Sequence, residues 1–410
     1  MKTCIPLLLT VITFASVAVA QSKKDKIEIG VQSTSLTLFH PDFPFDDTQA
    51  GIGGRVTYNF NRSIAAEAEI NFFPQKQFIL TADGSAIQAQ FGVKLGKRFN
   101  KFGLFGKVRP GFLSVNRVGS FIPGSQSGTT PNFTIERRAF FTIDTGGVLE
   151  LYPSRRTVVR FEAGDTAIRH PAQFGQISIF SPSVELIRPA KFNHNFQFTA
   201  GVAFRLGDFP DEEVNVKTSG GGQEPTKRFE VGAQFTSLFV EPANGPFSAS
   251  LPREHTEPGF GARFTFNLTD SVAFEAEGNY YTREQFGLQG GHMFQGQFGA
   301  KVGRRFDRWG LFGKARPGFV GFSRVLEAPF GVQIPANLAF VRKLYPSLDI
   351  GGVVEFYVSP RWMARFDVGD TVIRYSEIRI LAGVQPGFFT LRGRETQHNL
   401  QVSSGIGFRF

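Results

Sequence analysis

Two histidines occupy matching places in the chain and are the first candidates for chemistry. His194 and His398 each precede an asparagine, close to the start of a similar apolar segment. A hydrolase would use such a histidine as a general base beside a serine nucleophile and an orienting acid or amide. No serine recurs with the two histidines in a consistent pattern. We therefore interpret them as rim histidines, at the start of the last segment of each copy, and expect the protein not to be an enzyme.

Other short motifs do not indicate a catalytic or binding site either. LFGK, which ends at Lys107 and again at Lys314, contains the Gly and Lys of a phosphate loop but not the spacing. The remaining histidines are scattered and show no metal-ligand spacing. Asp165 and Asp370, each in GDT, interrupt an alternating pattern, which predicts a β-bulge, with a ligand or cation site as the alternative. We expect no cofactor and no metal.

The chain contains an internal repeat. GKRFNKFGLFGKVRPGF from Gly96 recurs as GRRFDRWGLFGKARPGF from Gly303, and RFEAGDTAIR from Arg160 recurs as RFDVGDTVIR from Arg365. The period is far longer than a solenoid unit, so a whole domain is duplicated. The predicted domains are residues 21–206 and 228–410, and the polar, Gly-rich stretch 207–227 is predicted to be a flexible linker.

The first residues have the pattern of an export signal. Lys2 precedes an apolar run that ends in Ala18-Val19-Ala20, followed by QSKKD. This order predicts a secretory signal peptide at residues 1–20, cleaved after Ala20. The single cysteine, Cys4, falls inside it. The exported chain would therefore have no disulfide to stabilise it.

The rest of the sequence alternates with a period of two. One face of the last segment carries Leu400, Val402, Ser404, Ile406, Phe408 and Phe410, and the other carries Asn399, Gln401, Ser403, Gly405, Gly407 and Arg409. About eight such segments fit each copy, each roughly 10 to 15 residues long, as tilted membrane strands require. No later stretch is apolar enough for a spanning helix. Mean hydropathy is only −0.10, yet the chain has 48 Phe, which fits strands that expose alternate residues to lipid.

The connections between segments alternate in length. Asn100-Lys101, Asp307-Arg308 and similar turns are tight, whereas 119–139, 170–191, 326–343 and 376–397 are long. Outer-membrane barrels have short periplasmic turns and long extracellular loops. Proline cannot donate a ladder hydrogen bond, so Pro110 and Pro317 predict a bulge or bend in the fifth segment. The fold class is all-β: transmembrane antiparallel up-and-down barrels, two in tandem with eight strands each. One sixteen-stranded barrel is the alternative.

A resemblance follows from the closing segment. GIGFRF with terminal Phe410 resembles the last strand of bacterial outer-membrane proteins, where Phe408 and Phe410 would form the signal read by the assembly machinery. AGVAFRL, from Ala200, looks like the same signal at the end of the first copy. Each copy resembles the small OmpA-like and OmpX-like barrels. The resemblance implies an outer-membrane location, with membrane lipid and the assembly machinery as partners.

The face opposite the apolar one would line the barrels. A charge network is predicted there from Glu67, Glu69, Lys94, Lys107, Arg109, Asp144, Glu150, Arg160, Glu162, Glu275, Glu277, Lys301, Lys314, Arg316, Asp349, Glu355, Arg365 and Asp367. Glu28, Arg55, Glu230 and Arg263 share that face. An eight-stranded barrel is just wide enough for side chains to fill, and near-equal opposite charges favour paired ions that plug it. The alternative is that Glu67, Glu69, Lys107 and Arg109 exchange partners and gate a small channel.

The net charge of +10 comes from scattered residues, which argues against nucleic acid as a partner. The favoured function is an envelope-structural or surface-recognition role, since long loops on a rigid barrel often carry recognition. A porin or small-solute channel is the alternative. The sequence identifies no extracellular ligand.

Overall fold

A computed structural model describes residues 27–38, 47–74, 82–121, 133–175, 185–206, 227–240, 255–285, 289–327, 339–381 and 388–410. The predicted signal peptide lies outside these residues, as does the predicted linker except for Lys227. All of the regular secondary structure in these residues consists of β-strands. Among the described residues, no helix is long and apolar enough to cross a membrane.

The first repeat contains the strands β1 to β11. Their bounds are Ile27–Leu38 (β1), Asp47–Asn59 (β2), Ile64–Phe73 (β3), Ala82–Arg98 (β4), Phe102–Phe121 (β5), Phe133–Leu151 (β6), Thr157–His170 (β7), Gln173–Gly175 (β8), Glu185–Arg188 (β9), Lys191–Asn193 (β10) and Phe196–Leu206 (β11). Strands β1 to β7 pair in order, β7 pairs with β11, and β11 returns to β1. The sheet therefore closes into an antiparallel barrel of eight strands, with β10 extending β11 along β7.

The second repeat builds the same barrel. Its strands are Phe229–Val240 (β12), His255–Asn267 (β13), Val272–Gln285 (β14), Gln289–Arg305 (β15), Trp309–Glu327 (β16), Ala339–Tyr357 (β17), Trp362–Tyr375 (β18), Ile378–Leu381 (β19), Phe388–Arg392 (β20) and Glu395–Arg409 (β21). Strands β12 to β18 and β21 form a closed barrel of their own. Two tandem eight-stranded barrels are thus confirmed, and the sixteen-stranded alternative is wrong because each repeat closes on itself.

At the ends joined by long connections, the strands are longer than the predicted segments. β6 begins at Phe133, although the sequence predicted a loop to residue 139. Two short hairpins, β8 with β9 and β19 with β20, lie in connections that were predicted to be loops. The alternation of apolar and polar residues is weaker at these ends, because their two faces no longer differ as a lipid-facing and an enclosed face do.

The bulges predicted at Pro110, Pro317, Asp165 and Asp370 are wrong, because the register does not shift at these positions. Pairing keeps the same register on both sides of Pro110 and of Pro317, and it also continues through Asp165 and Asp370. The register shifts lie elsewhere, for example between Asp83 and Ala86. Gly84, with φ 104°, stands at that shift in a backbone conformation that favours glycine. Each proline lies in the strand without an inserted residue, and only the pairing with the neighbouring strand next to it is lost.

Candidate functional site

The candidate site is the interior of the two barrels. Side chains alternate across each strand, so every second residue points into the enclosed space. All eighteen charged residues of the predicted network are buried, none more than 5% exposed, and so are Glu28, Arg55, Glu230 and Arg263. The outward positions between them carry exposed apolar residues such as Phe91, Leu104 and Phe298. A column of charged side chains therefore lies inside a barrel wall whose outer face is apolar and suited to lipid.

Arg109 is the centre of the first barrel's network. Its guanidinium donates to Asp144 from Nε at 2.8 Å and from Nη2 at 2.6 Å. It also donates to Glu69 at 2.5 Å and to Glu162 at 2.9 Å. Lys107 contacts Asp144 at 2.9 Å and Glu162 at 2.7 Å. One arginine thus joins carboxylates from β3, β6 and β7, which ties distant strands together across the barrel.

A second cluster lies nearer the short turns. Arg160 and Glu67 form a two-pronged pair, with Nη2 to Oε2 at 2.7 Å. Lys94 donates to Glu150 and lies 3.4 Å from Glu67. These side chains come from β3, β4, β6 and β7. Charge-assisted bonds with several partners each leave these ions little freedom to move.

The second barrel repeats this network with one systematic difference. Arg316 binds Asp349 at 2.6 Å and Glu277 at 2.6 Å, and Lys301 binds Glu355 at 2.5 Å. Asp367 stands where the first barrel has Glu162. Its shorter side chain lies 3.7 Å from the guanidinium of Arg263.

The corresponding contact in the first barrel is tighter. There Glu162 approaches Arg55 to 3.1 Å. Loss of one methylene therefore loosens the network at this position.

The predicted charge network left out several basic residues at the turn end of each barrel. Arg205 binds Glu28 at 3.1 Å, and Arg98 donates to the hydroxyl of Tyr152, also at 3.1 Å. That hydroxyl in turn donates to Glu150 at 2.8 Å. In the second barrel Arg409 binds Glu230 and Tyr357 donates to Glu355 in the same way, and Arg305 donates to Glu230 at 3.2 Å. The signal was present in the repeat, because these residues recur at matching positions, but they stand beside turns and resemble turn residues.

An amide layer lies beyond the ions, toward the long connections. In the first barrel Gln32 donates to Asn71 at 2.9 Å, Asn71 donates to Gln88 at 2.9 Å, and Gln88 donates to Gln197 at 3.0 Å. Gly53 makes room for it, since a Cβ there would stand 2.0 Å from the Asn71 amide oxygen. The chain of amides spans four strands and pairs polar groups that are closed off from solvent.

An apolar layer lies beyond the amides in each barrel, and it was not predicted. In the first barrel it comprises Leu36, Leu38, Phe73, Ala86, Leu113, Val115, Val118 and Ile168. In the second it comprises Leu238, Val240, Tyr281, Met293, Val320, Phe322, Val325, Tyr345, Ile373 and Tyr375. These residues continue the inward series of their strands, as Leu36 follows Gln32 and Thr34. Apolar side chains at inward positions near the strand ends were the available signal.

The predicted assembly residues lie at the opposite end. Phe410 is 54% exposed and stacks on Phe229, with ring centroids 5.8 Å apart. Phe408 packs edge-on against Trp362 at 5.0 Å. Together they form part of an aromatic belt near the short turns. Among the described residues no group of three or more His, Cys, Asp or Glu could hold a metal ion.

Comparison with known proteins agrees with this geometry. Residues 7–146 match the family described as "Outer membrane protein beta-barrel domain". The predicted resemblance is confirmed. The first repeat is therefore similar to outer-membrane β-barrel proteins, and that family implies an outer-membrane location. No curated protein sequence matches the chain.

Several solved structures resemble the chain at low identity. The N-terminal β-barrel domain of Pseudomonas aeruginosa OprF is 13% identical and covers 46% of this chain and 100% of its own, with a TM-score of 0.27. Ail of Yersinia pestis is 12% identical and covers 44% and 99%, with a TM-score of 0.28. A Pseudomonas aeruginosa FadL homologue is 11% identical and covers 94% and 90%, with a TM-score of 0.26. The fold assignment rests on the strand register rather than on these likenesses.

Proposed function

We propose that the protein is a structural component of the outer membrane whose barrels are closed to solutes and whose long strands present a surface to the outside. The observation that carries this proposal is the layered filling of each barrel. Ions, amides and an apolar cluster follow one another along the same enclosed space. A solute would have to displace all three layers in turn.

The state of the ions supports closure. Arg109, Arg160, Arg316 and Arg365 are among the largest fully buried side chains of the described residues. A conduit for water would hydrate such groups, since burying an ion without compensation costs several kcal/mol. Here carboxylates provide that compensation. The same arrangement argues against gating by partner exchange, because each ion that moved would leave others unpaired.

Planar-bilayer recording tests the closure. We expect the purified protein to show no steady conductance. A variant that opens the ionic layer alone, Arg109→Ser with Arg160→Ser, should stay silent because the apolar layer still blocks the path. Adding Gln88→Ser, Phe73→Ala and Leu113→Ala, which opens the amide and apolar layers as well, should produce openings, provided a heat-dependent gel shift shows that the barrel is folded. Steady nanosiemens steps from the unaltered protein would favour the porin alternative and contradict this proposal.

The strand lengths support the surface role. β4, β5 and β6 contain 17, 20 and 19 residues, whereas a tilted strand crosses a membrane in about 9 to 11 residues. These strands therefore rise beyond the membrane on one side of the barrel. Raised hairpins on a rigid scaffold are suited to contact with the surroundings.

Cysteine labelling in whole cells tests the orientation. The only native cysteine, Cys4, lies in the predicted signal peptide, so a single added thiol would be unique after cleavage. Arg137, exposed on the raised part of β6, and Lys101, in a short turn, are the two positions to compare. A membrane-impermeant maleimide should label Arg137→Cys in intact cells and Lys101→Cys only after lysis. The reverse pattern would overturn the surface role.

A further inference from the structure

Each barrel carries an aspartate–histidine pair outside the network described above. In the first barrel Oδ2 of Asp165 lies 2.6 Å from Nδ1 of His194, and in the second the same atoms of Asp370 and His398 are also 2.6 Å apart. The other carboxylate oxygen accepts the backbone N–H of the asparagine that follows each histidine, at 2.9 and 3.1 Å. The histidine side chains are 76% and 69% exposed.

The pair faces outward, toward lipid. Thr166 and Asn195, which follow Asp165 and His194 in sequence, are fully or almost fully buried inside the barrel. Alternation places Asp165 and His194 on the other side of the wall. The cross-strand partner of Asp165 is Phe196, another outward residue.

The height of the pair follows from the second barrel, where Trp362 marks the turn end of the outward face. From Trp362 to Asp370 the strand advances about 26 Å at about 3.3 Å per residue. A tilt of about 40° reduces this to about 20 Å across the membrane, close to the apolar band of roughly 25 Å. Asp370 and His398 therefore stand near the outer border of the hydrocarbon.

An arginine lies near the aspartate–histidine pair in both barrels. Arg169 and Arg374 lie two outward positions beyond the aspartate on the same strand, and both are exposed. They therefore reach the level of lipid headgroups. The repeats have diverged around this group, since Ala167 corresponds to Val372 and Phe196 to Leu400, yet aspartate, histidine and arginine recur.

Local hydrogen bonding explains the aspartate but not the histidine and the arginine. The aspartate satisfies the backbone N–H of the next strand, which requires neither the histidine nor the arginine. A carboxylate bonded to Nδ1 orients the imidazole, and a protonated ring donates from Nε2. Arginine offers a fork of donors that matches phosphate oxygens. We propose that the histidine and arginine on each flank bind the phosphate of an outer-leaflet lipid headgroup.

Native mass spectrometry tests the proposal. The full protein, in a detergent that contains no phosphate group, would be titrated with short-chain phosphatidic acid, and diacylglycerol of the same chain length serves as the headgroup-free probe. We expect two retained phosphatidic acids per chain and no specific diacylglycerol. His194→Ala and His398→Ala should each weaken one site at least tenfold, and the double variant should weaken both. Arg169→Gln with Arg374→Gln should have the same effect.

Matched controls make the result decisive. His292→Ala removes another outward histidine, packed against Tyr280, and should retain both lipids. The exposed substitutions should preserve the heat-dependent gel shift. Unchanged retention by the folded double histidine variant, or equal retention of diacylglycerol, would overturn the proposal. Displacement by millimolar inorganic phosphate would show that the site takes phosphate from solution, which would overturn the lipid assignment.

Discussion

Arg160 and Glu67 form a two-pronged ion pair across the first barrel, from β7 to β3, although these strands are not neighbours in the sheet. Arg365 and Glu275 form the matching pair in the second barrel. Side-chain pairs of this kind connect walls that backbone ladders cannot connect.

The cross-barrel pair can be measured by a double-mutant cycle in the second barrel. Both tryptophans, Trp309 and Trp362, lie in that barrel, so their fluorescence reports its unfolding. We expect Arg365→Ala and Glu275→Ala each to lower the free energy of unfolding by about 3–5 kcal/mol, because each leaves a buried charge without its partner. The double variant should cost clearly less than the sum.

Arg160→Ala is the matched control for that cycle. It breaks the equivalent pair in the barrel that contains no tryptophan, and should leave the tryptophan transition in place. Additive costs in the second barrel would mean that the pair is not energetically coupled.

The period-two pattern predicted the strands and the inward side of the charges, because alternation is a local property of each strand. It could not predict which charges would meet. Arg109 reaches Glu69 through the curvature and stagger of the closed sheet, and these depend on all eight strands together. Arg98 and Arg205 were left out of the predicted network for a different reason, since basic residues next to turns usually face solvent.

The apolar layer shows a similar limit. Phe322 and Tyr345 stand at inward positions, but apolar residues on both faces near a strand end carry no period-two contrast. Alternation identifies the enclosed face only where the two faces differ. The aspartate–histidine pairs also required the structure, because their members are separated along the chain and meet only through the pairing of β7 with β11 and of β18 with β21.

The apolar layer should contribute strongly to stability. Phe322 is fully buried, and Phe322→Ala would leave a cavity in the second barrel. We expect a loss of about 3–5 kcal/mol, again read by tryptophan fluorescence. Phe298→Ala, at a lipid-facing position with 59% exposure, is the control and should cost much less. Similar losses at both positions would contradict a packed interior layer.

The amide layer depends on glycine at a close approach. A Cβ on Gly261 would stand 1.9 Å from the amide oxygen of Asn279, whereas nothing lies within 4 Å of one on Gly278. Gly261→Ala should therefore destabilise the second barrel by about 1–3 kcal/mol. Gly278→Ala, on the adjacent strand, should be neutral or slightly stabilising. Equal effects would show that Asn279 moves aside without cost.

The two closed sheets predict that the first repeat folds without the second. Every ladder partner of β1 to β7 and β11 comes from the same repeat, so no backbone hydrogen bond of this barrel needs residues beyond Leu206. Residues 21–206, refolded in detergent, should migrate faster on a gel before boiling than after. Arg109→Ala should lower the temperature at which that fast form is lost, because it removes the residue that joins three strands. A fragment with a single heat-independent band would show that the first barrel needs its duplicate as a folding template, and that closure of the sheet alone does not make the repeat an autonomous unit.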